Sequence, residues 1–393
     1  MTFCAAIVAA SCFDSGVAIL KLLVKKLKAY SRDHGITRQL KRAAKLIRWN
    51  MQSLTADMRK GGRPTRRLLV VYDFASQPFS IGDILMCQEA SLALRIQYNI
   101  DQVDFALVYD PANPVVPDPA FSTIGADNFL WHLPTVLQAA QVNTHLGSMF
   151  LFDSHANLEQ FISRHLDMYE VWPPLAQYVN REYLYYHIFN EILFDHFQKF
   201  GAVPSLSSRS PARAWATNFI EEHAAPNVAV TVQLRRSQTN SARNSDYETW
   251  RSFFRASRDR YPVKFVVICA RHEMDASFGE LSNVIFSKDH CTTVEQDLAL
   301  IEAGSMHIGA SSGPGVVAIF SKKPYCFFNT GMRLDLYKGL IQDGNASRLF
   351  FASPQQRFIH GRESINILMS EFDRMWSSFK NRDSMNSAAD SGS

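Results

Sequence analysis

The sequence predicts an α/β protein of two domains with parallel sheets facing a central cleft, preceded by a basic helical N-terminal segment. Three observations predict it. From residue 205 onward, short β-branched or apolar runs alternate with amphipathic helical stretches, the pattern of a doubly wound, Rossmann-like domain. The same alternation occupies 68–109, and breaks rich in Gly, Pro and Ser at 61–64 and 201–210 separate the pieces. The expected organisation is therefore a helical segment over 1–62, one α/β domain over 63–204, a second over 205–380, and a disordered polar tail over 381–393.

The chain has 393 residues, enough for two such domains, and 47% hydrophobic with 20% charged residues is a globular composition. Its net charge of +4 is unevenly spread: 21–67 holds fifteen Lys or Arg against two acids, a balance of +13, leaving about −9 for the remainder. Ile19, Leu20, Leu23, Val24 and Leu27 share a helical face opposite Lys21, Lys25 and Lys28, and a second basic repeat lies beyond Gly35. Such helices either pack on a core with a solvated outer face or lie on an anionic surface, here a membrane contacted through residues 19–67. Nucleic acid is the weaker partner, because no nucleic-acid-binding motif accompanies the charge.

Phe3 to Leu20 is apolar but carries Asp14, which costs a spanning helix roughly 3 kcal/mol, so no transmembrane segment is expected. No basic residue precedes the run, so no signal peptide is expected either. The six cysteines lie without ligand-like spacing. That favours a reducing compartment, the cytoplasm, with the basic segment at the inner face of the membrane.

In the first domain, Leu68 to Tyr72 reads as a buried strand, Ser80-Ile81-Gly82-Asp83 opens a helix to about Tyr98, and Val103 to Tyr109 is the next strand. A proline-rich loop, Pro111 to Pro119, comes next. Aromatics between Phe129 and Phe200 build mostly core, and some suit the lining of a ligand cleft. Ser210-Pro211 caps a helix to about His223.

In the second domain the order is strand 228–234, helix 247–258, strand 263–269, a helix or loop at 273–281, strand 283–286, helix 294–303, strand 306–309, helix 313–320 and strand 325–328. A helix over 362–379 closes it. Arg235-Arg236 leave the carboxyl end of the first of these strands, with a polar loop containing Arg243 after them. Ser311-Ser312-Gly313 forms the turn after strand 306–309, where hydroxyls and backbone N–H groups suit a phosphate and small residues equally suit tight packing. Ligands gather at the carboxyl ends of parallel strands, so arginines and turn face one crevice.

Two resemblances enter here. The IGASSGP segment, its hydrophobic helix and the KKP beyond it resemble the donor-site turn of GT-B glycosyltransferases, especially the heptosyltransferase-like group. VQLRR is similar to the arginine motif of nodulation and α1,6-fucosyltransferases. The resemblance implies a donor site for a nucleoside-diphosphate sugar and a glycan, lipid-linked or polysaccharide acceptor. Arg235 and Arg236 would hold the diphosphate, one arginine on the phosphates and its neighbour in a structural ion pair, with Arg243 either a third charge or a solvated loop residue.

The Gly82-Asp83 pair resembles the one whose Asp is a proposed general base in heptosyltransferase-like enzymes; Asp also serves well as a helix N-cap. Should Asp83 fail as the base, His132, Asp153 and His155 are the next candidates in that domain. Glu295 and Asp297, in the first turn of their helix, either balance its dipole or contact a ribose or sugar hydroxyl. No D-x-D occurs, so metal independence is expected, with no cofactor beyond the nucleotide sugar as substrate. Two other readings stay open: a sugar-nucleotide epimerase of the same fold, and a non-enzymatic scaffold bound to membrane or nucleic acid.

Overall fold

The computed structural model describes residues 67–109, 129–174, 186–237, 241–330 and 337–390. The basic segment, the 61–64 break, the proline-rich loop and the aromatics Tyr178 to Tyr185 lie outside them.

The first domain opens with β1 (Arg67–Asp73), α1 (Ile81–Gln97) and β2 (Gln102–Val108). It continues through α2 (Phe129–Ala140), β3 (Leu146–Phe152), α3 (His155–His165) and β4 (Tyr169–Trp172). These strands make one parallel sheet in the order β3-β2-β1-β4. Leu68 to Tyr72 are buried on both faces, as a parallel strand covered by helices on each side requires.

At the amino edge, Asp104 is fully satisfied: Arg67 grips it with two hydrogen bonds of 2.7 and 2.6 Å, and the Tyr169 hydroxyl and the Ser148 N–H donate at 2.7 Å each. Burial and the Asp104 carboxylate push the Tyr169 phenol up to about 12.

Two helices lead to the second domain, α4 (Tyr186–Phe200) and α5 (Ser210–His223). Arg209, not Ser210, holds the N-cap position of α5, with Pro211 in the first turn, where its missing N–H is harmless. Then come β5 (Val228–Gln233), α6 (Tyr247–Arg258), β6 (Val263–Ile268), β7 (Val284–Phe286), α7 (Val294–Ala303) and β8 (Met306–Ala310). The domain ends with α8 (Val316–Ile319), β9 (Tyr325–Phe328), β10 (Ile341–Asp343), β11 (Ala346–Arg348), β12 (Gln356–Ile359) and α9 (Ile365–Asp390). The eight strands run β10-β11-β12-β9-β8-β5-β6-β7. The six parallel ones, β7-β6-β5-β8-β9-β12, keep the 3-2-1-4-5-6 order of a Rossmann sheet.

The 273–281 stretch resolves into two 3-10 turns, Arg271–Glu273 and Ala276–Phe278. The closing helix α9 runs on to Asp390, into the stretch expected to be a polar tail.

One face of the second sheet packs Phe265 against Phe253, Phe254 and Phe372 in a core of its own. Its other face joins the first domain in a continuous core, and α4 spans both, with Phe194 and Phe197 set against Phe350. Among the described residues no helix is long and apolar enough to cross a membrane.

Candidate functional site

The chain leaves β5 toward β6 on one side and returns to β8 on the other, so the switch point of the second sheet lies between β5 and β8. Crevices for ligands open there. Arg235 comes after β5 and Ser311 after β8. The Arg243 guanidinium donates to the Ser311 carbonyl oxygen at 2.5 Å, and Arg235 donates through Nη1 to the Asn244 side-chain oxygen at 2.6 Å. Asn329, after β9, donates to the Asn244 carbonyl at 3.1 Å. Arg235, Arg243 and Ser311 are thus brought together by one loop. Burial pulls the Arg235 pKa below its ordinary value while Glu273 opposes the shift, as befits a guanidinium partly withdrawn from water.

Arg236 takes the structural place expected for one of the pair. Its guanidinium stacks on Tyr247 at 3.8 Å and pairs with Asp275 at 3.1 Å, while its backbone N–H donates to Glu273. Alternation along an extended chain explains the division, since adjacent side chains leave on opposite sides.

Beyond the Ser311–Gly313 turn the chain departs from expectation. Gly313–Gly315 is a 3-10 turn and α8 has four residues, in place of a helix over 313–320. Gly313 and Gly315 disfavour a regular first turn, and a Cβ at Gly315 would stand 2.6 Å from the Phe327 ring, so the segment lies flat on β9. The short helix supplies little dipole, which leaves the arginines as the main positive charge at this edge. Ser312 stands at the N-cap position without a side-chain capping bond.

Asp83 is not the N-cap of α1. Ser80 is, and Asp83 stands in the first turn, close enough to the interior for its charge to add to the desolvation that raises the Tyr72 phenol and the Cys87 thiol. Gly82 touches Gly313: a Cβ on Gly82 would come 3.1 Å from the Cα of Gly313. The first turn of α1 therefore meets the β8 turn directly, one domain against the other.

Glu295, expected either to balance its helix dipole or to contact a sugar hydroxyl, pairs with an arginine. Both its carboxylate oxygens are taken by Arg209, at 2.6 and 2.7 Å, so it ties α7 to the entry of α5. Its neighbour Asp297 is buried and accepts from Lys288 and, at 2.6 Å, from Thr292.

Sequence reasoning missed Asp73. This residue ends β1 at 1% exposure, and its Oδ2 lies 2.7 Å from His155 Nε2 at the start of α3. The signal was there: an Asp at the carboxyl end of the apolar run LLVVY, and a His opening the helix after another strand. Of the other fallback residues, Asp153 is exposed and accepts from Asn157, and His132 is half-buried on α2. Among the described residues no group of three or more His, Cys, Asp or Glu is placed to hold a metal ion.

Two sheets of Rossmann character, meeting at the carboxyl-edge turns through Gly82 and Gly313, define a GT-B fold. The ADP-heptose LPS heptosyltransferase II of E. coli shares it at TM-score 0.50 and 11% identity, over 81% of this chain and 99% of that one. A glycosyl transferase family 9 protein of Veillonella parvula superposes at 0.47 with 11% identity, covering 80% and 89%. The NodZ α-1,6-fucosyltransferase, co-crystallised with GDP, gives 0.29 and 13% over 68% and 97%. No family model matches the chain, and no curated protein does. The first of these likenesses establishes the architecture: the protein has the fold of GT-B glycosyltransferases.

Proposed function

We propose that the protein is a glycosyltransferase that moves a sugar from a nucleoside-diphosphate sugar to a glycan, lipid-linked or polysaccharide acceptor. The observation that carries the reading is the convergence of Arg235, Arg243 and Ser311 at the β5/β8 switch point. A departing diphosphate needs fixed positive charge in a partly desolvated place, and guanidinium forks supply it without reorganisation. The heptosyltransferase II that shares the fold is an ADP-heptose enzyme, which supports a nucleotide-sugar donor. Arg236 supports the site from behind, and Ser312 and Gly313 offer backbone N–H groups.

Transfer also needs a base for the acceptor hydroxyl. Two groups at the carboxyl edge of the first sheet are chemically able to act: Asp83, beside the Gly82–Gly313 contact, and His155, backed by Asp73. The absence of D-x-D supports donor binding without a divalent ion. The +13 balance over 21–67 supports attachment to an anionic membrane near the acceptor, on the cytoplasmic face.

Incubation with a panel of nucleotide sugars and glycan or lipid-linked acceptors tests the reading. Acceptor-dependent release of nucleoside diphosphate is expected; an isomerised donor without transfer would make the protein an epimerase. Calorimetry of the nucleoside diphosphate with and without EDTA should give equal affinities, and loss of binding on chelation would overturn the metal-free site.

A further inference from the structure

We infer that the proton acceptor of the transfer is His155, positioned by Asp73, and that the turn 73–77 forms the subsite for the acceptor's hydroxyl groups. The inference rests on the glycosyltransferase reading and assigns the half of that site which takes the second substrate.

The two buried aspartates of the first sheet are handled differently. Asp104, at the amino edge, is gripped by Arg67, the Ser148 N–H and the Tyr169 hydroxyl, a structural arrangement. Asp73, at the carboxyl edge, receives the Ala75 N–H at 2.9 Å on Oδ1 and His155 on Oδ2. A carboxylate only accepts, so His155 Nε2 carries the hydrogen and Nδ1 the lone pair. This is the tautomer a general base needs, and the buried carboxylate stabilises the imidazolium that forms.

The position suits the role. His155 comes after β3, while Asp73 ends β1 with β2 between them. Neighbouring strands stand about 4.8 Å apart, so the pair bridges the carboxyl end of β2, where ligands of a parallel sheet collect. The His155 side chain keeps 17% exposure, against 1% for Asp73, so the imidazole faces outward from a fixed anchor.

A second observation points to a ligand bearing hydroxyls. The Asp73 carbonyl accepts from the Ser76 and Gln77 N–H groups at 2.9 and 2.8 Å, which folds this turn back over the strand end. Gln77 is wholly buried, and among the described residues neither atom of its amide has a partner; nor does the buried Ser76 hydroxyl. Unpaired buried amides are destabilising, and hydrogen bonds from sugar hydroxyls would relieve that. Asp83 is the less suitable base, since a first-turn carboxylate already balances the dipole of a 17-residue helix.

In the step itself the acceptor O–H gives its proton to Nδ1 of His155 as the oxygen bonds to the anomeric carbon. The bond from that carbon to the β-phosphate oxygen breaks, and its electron pair leaves with the nucleoside diphosphate toward Arg235 and Arg243.

The test compares His155→Gln, Asp73→Asn and Asp83→Asn with the wild type in turnover and in nucleoside diphosphate affinity by calorimetry. His155→Gln should lower kcat by about 10² or more with donor affinity unchanged. Asp73→Asn keeps an acceptor for Ala75 but presents an N–H to Nε2, which reverses the tautomer, so kcat should fall with both KM values little altered. Asp83→Asn should lower kcat by less than His155→Gln does. Wild-type turnover in His155→Gln, or collapse of kcat in Asp83→Asn alone, overturns the assignment and leaves the transferase reading standing. A wild type that binds nucleoside diphosphate but shows no transfer to any acceptor overturns the transferase reading and this one with it. If His155→Gln fails to fold, Asp73→Asn decides: a loss in KM and melting temperature without a selective loss in kcat assigns the pair a structural role.

Discussion

A Cβ placed on Gly313 would stand 2.8 Å from the backbone nitrogen of Gly82 and 3.0 Å from the Ile81 Cβ. The β8 turn of one domain and the first turn of α1 in the other are therefore in backbone contact, which only two residues without side chains permit. The contact sets how near the arginine edge of the second sheet lies to the carboxyl edge of the first.

Gly313→Ala should consequently part the two turns. Overpacking at a backbone contact costs typically about 1–3 kcal/mol, and denaturant unfolding should show it. Turnover should fall, and nucleoside diphosphate affinity with it, because Gly313 belongs to the donor-side turn as well as to the contact between the domains. Gly82→Ala meets Gly313 at the longer 3.1 Å and should be milder. Equal stability of Gly313→Ala and wild type would contradict the contact.

The arginines should separate by function. Arg235→Ala and Arg243→Ala each remove a charge-assisted contact of about 1.5–3 kcal/mol, so nucleoside diphosphate affinity should drop roughly 10- to 100-fold. Arg236→Ala instead loses the Tyr247 stack and the Asp275 pair and should affect stability more than affinity. Calorimetry of the three variants checks the order, and a larger affinity loss at Arg236 than at Arg235 would reverse the roles.

His307 predicts an acid limb in stability. It lies wholly buried between β5 and β9, bonded to Thr231 at 2.9 Å, and desolvation, with Lys323 adding to it, lowers its pKa from 6.5 to about 3. The folded protein thus refuses a proton that the unfolded chain accepts below about 6.5. Its contribution is complete above that pH and is lost as pH falls toward about 3. His307→Gln should flatten the decline in unfolding free energy across this window, and an unchanged slope would remove His307 as its source.

The basic segment should confer salt-sensitive membrane affinity. Vesicles containing anionic lipid should float the intact chain at low salt and release it as salt rises, whereas a chain starting near Gly61 should stay in solution. Equal behaviour of the two chains would detach the +13 balance from membrane binding.

What could be read from the residues alone was whatever has a period or a fixed chemical place. The apolar runs 68–72, 228–234 and 325–328 announce buried strands because parallel strands are covered on both faces, and Arg235-Arg236 announce an edge because charge ends such a run. The three-residue strands β10 and β11 carry no period long enough to detect.

Chain order and local chemistry by themselves determined two Rossmann domains and the arginine–serine edge of the second. Only the tertiary structure decided which like residues differ in role. It sent Arg236 to Tyr247 and Asp275 while Arg235 stayed with Asn244, and it took Glu295 away to Arg209. It also brought Asp73 to His155 across 82 positions of sequence. The physical reason is that periodicity reports burial, a property of one element at a time. Partnership between charged groups depends on strand order and on which helix ends meet, and sheet 3-2-1-4 placed β1 and β3 around β2 with no local trace in the residues themselves.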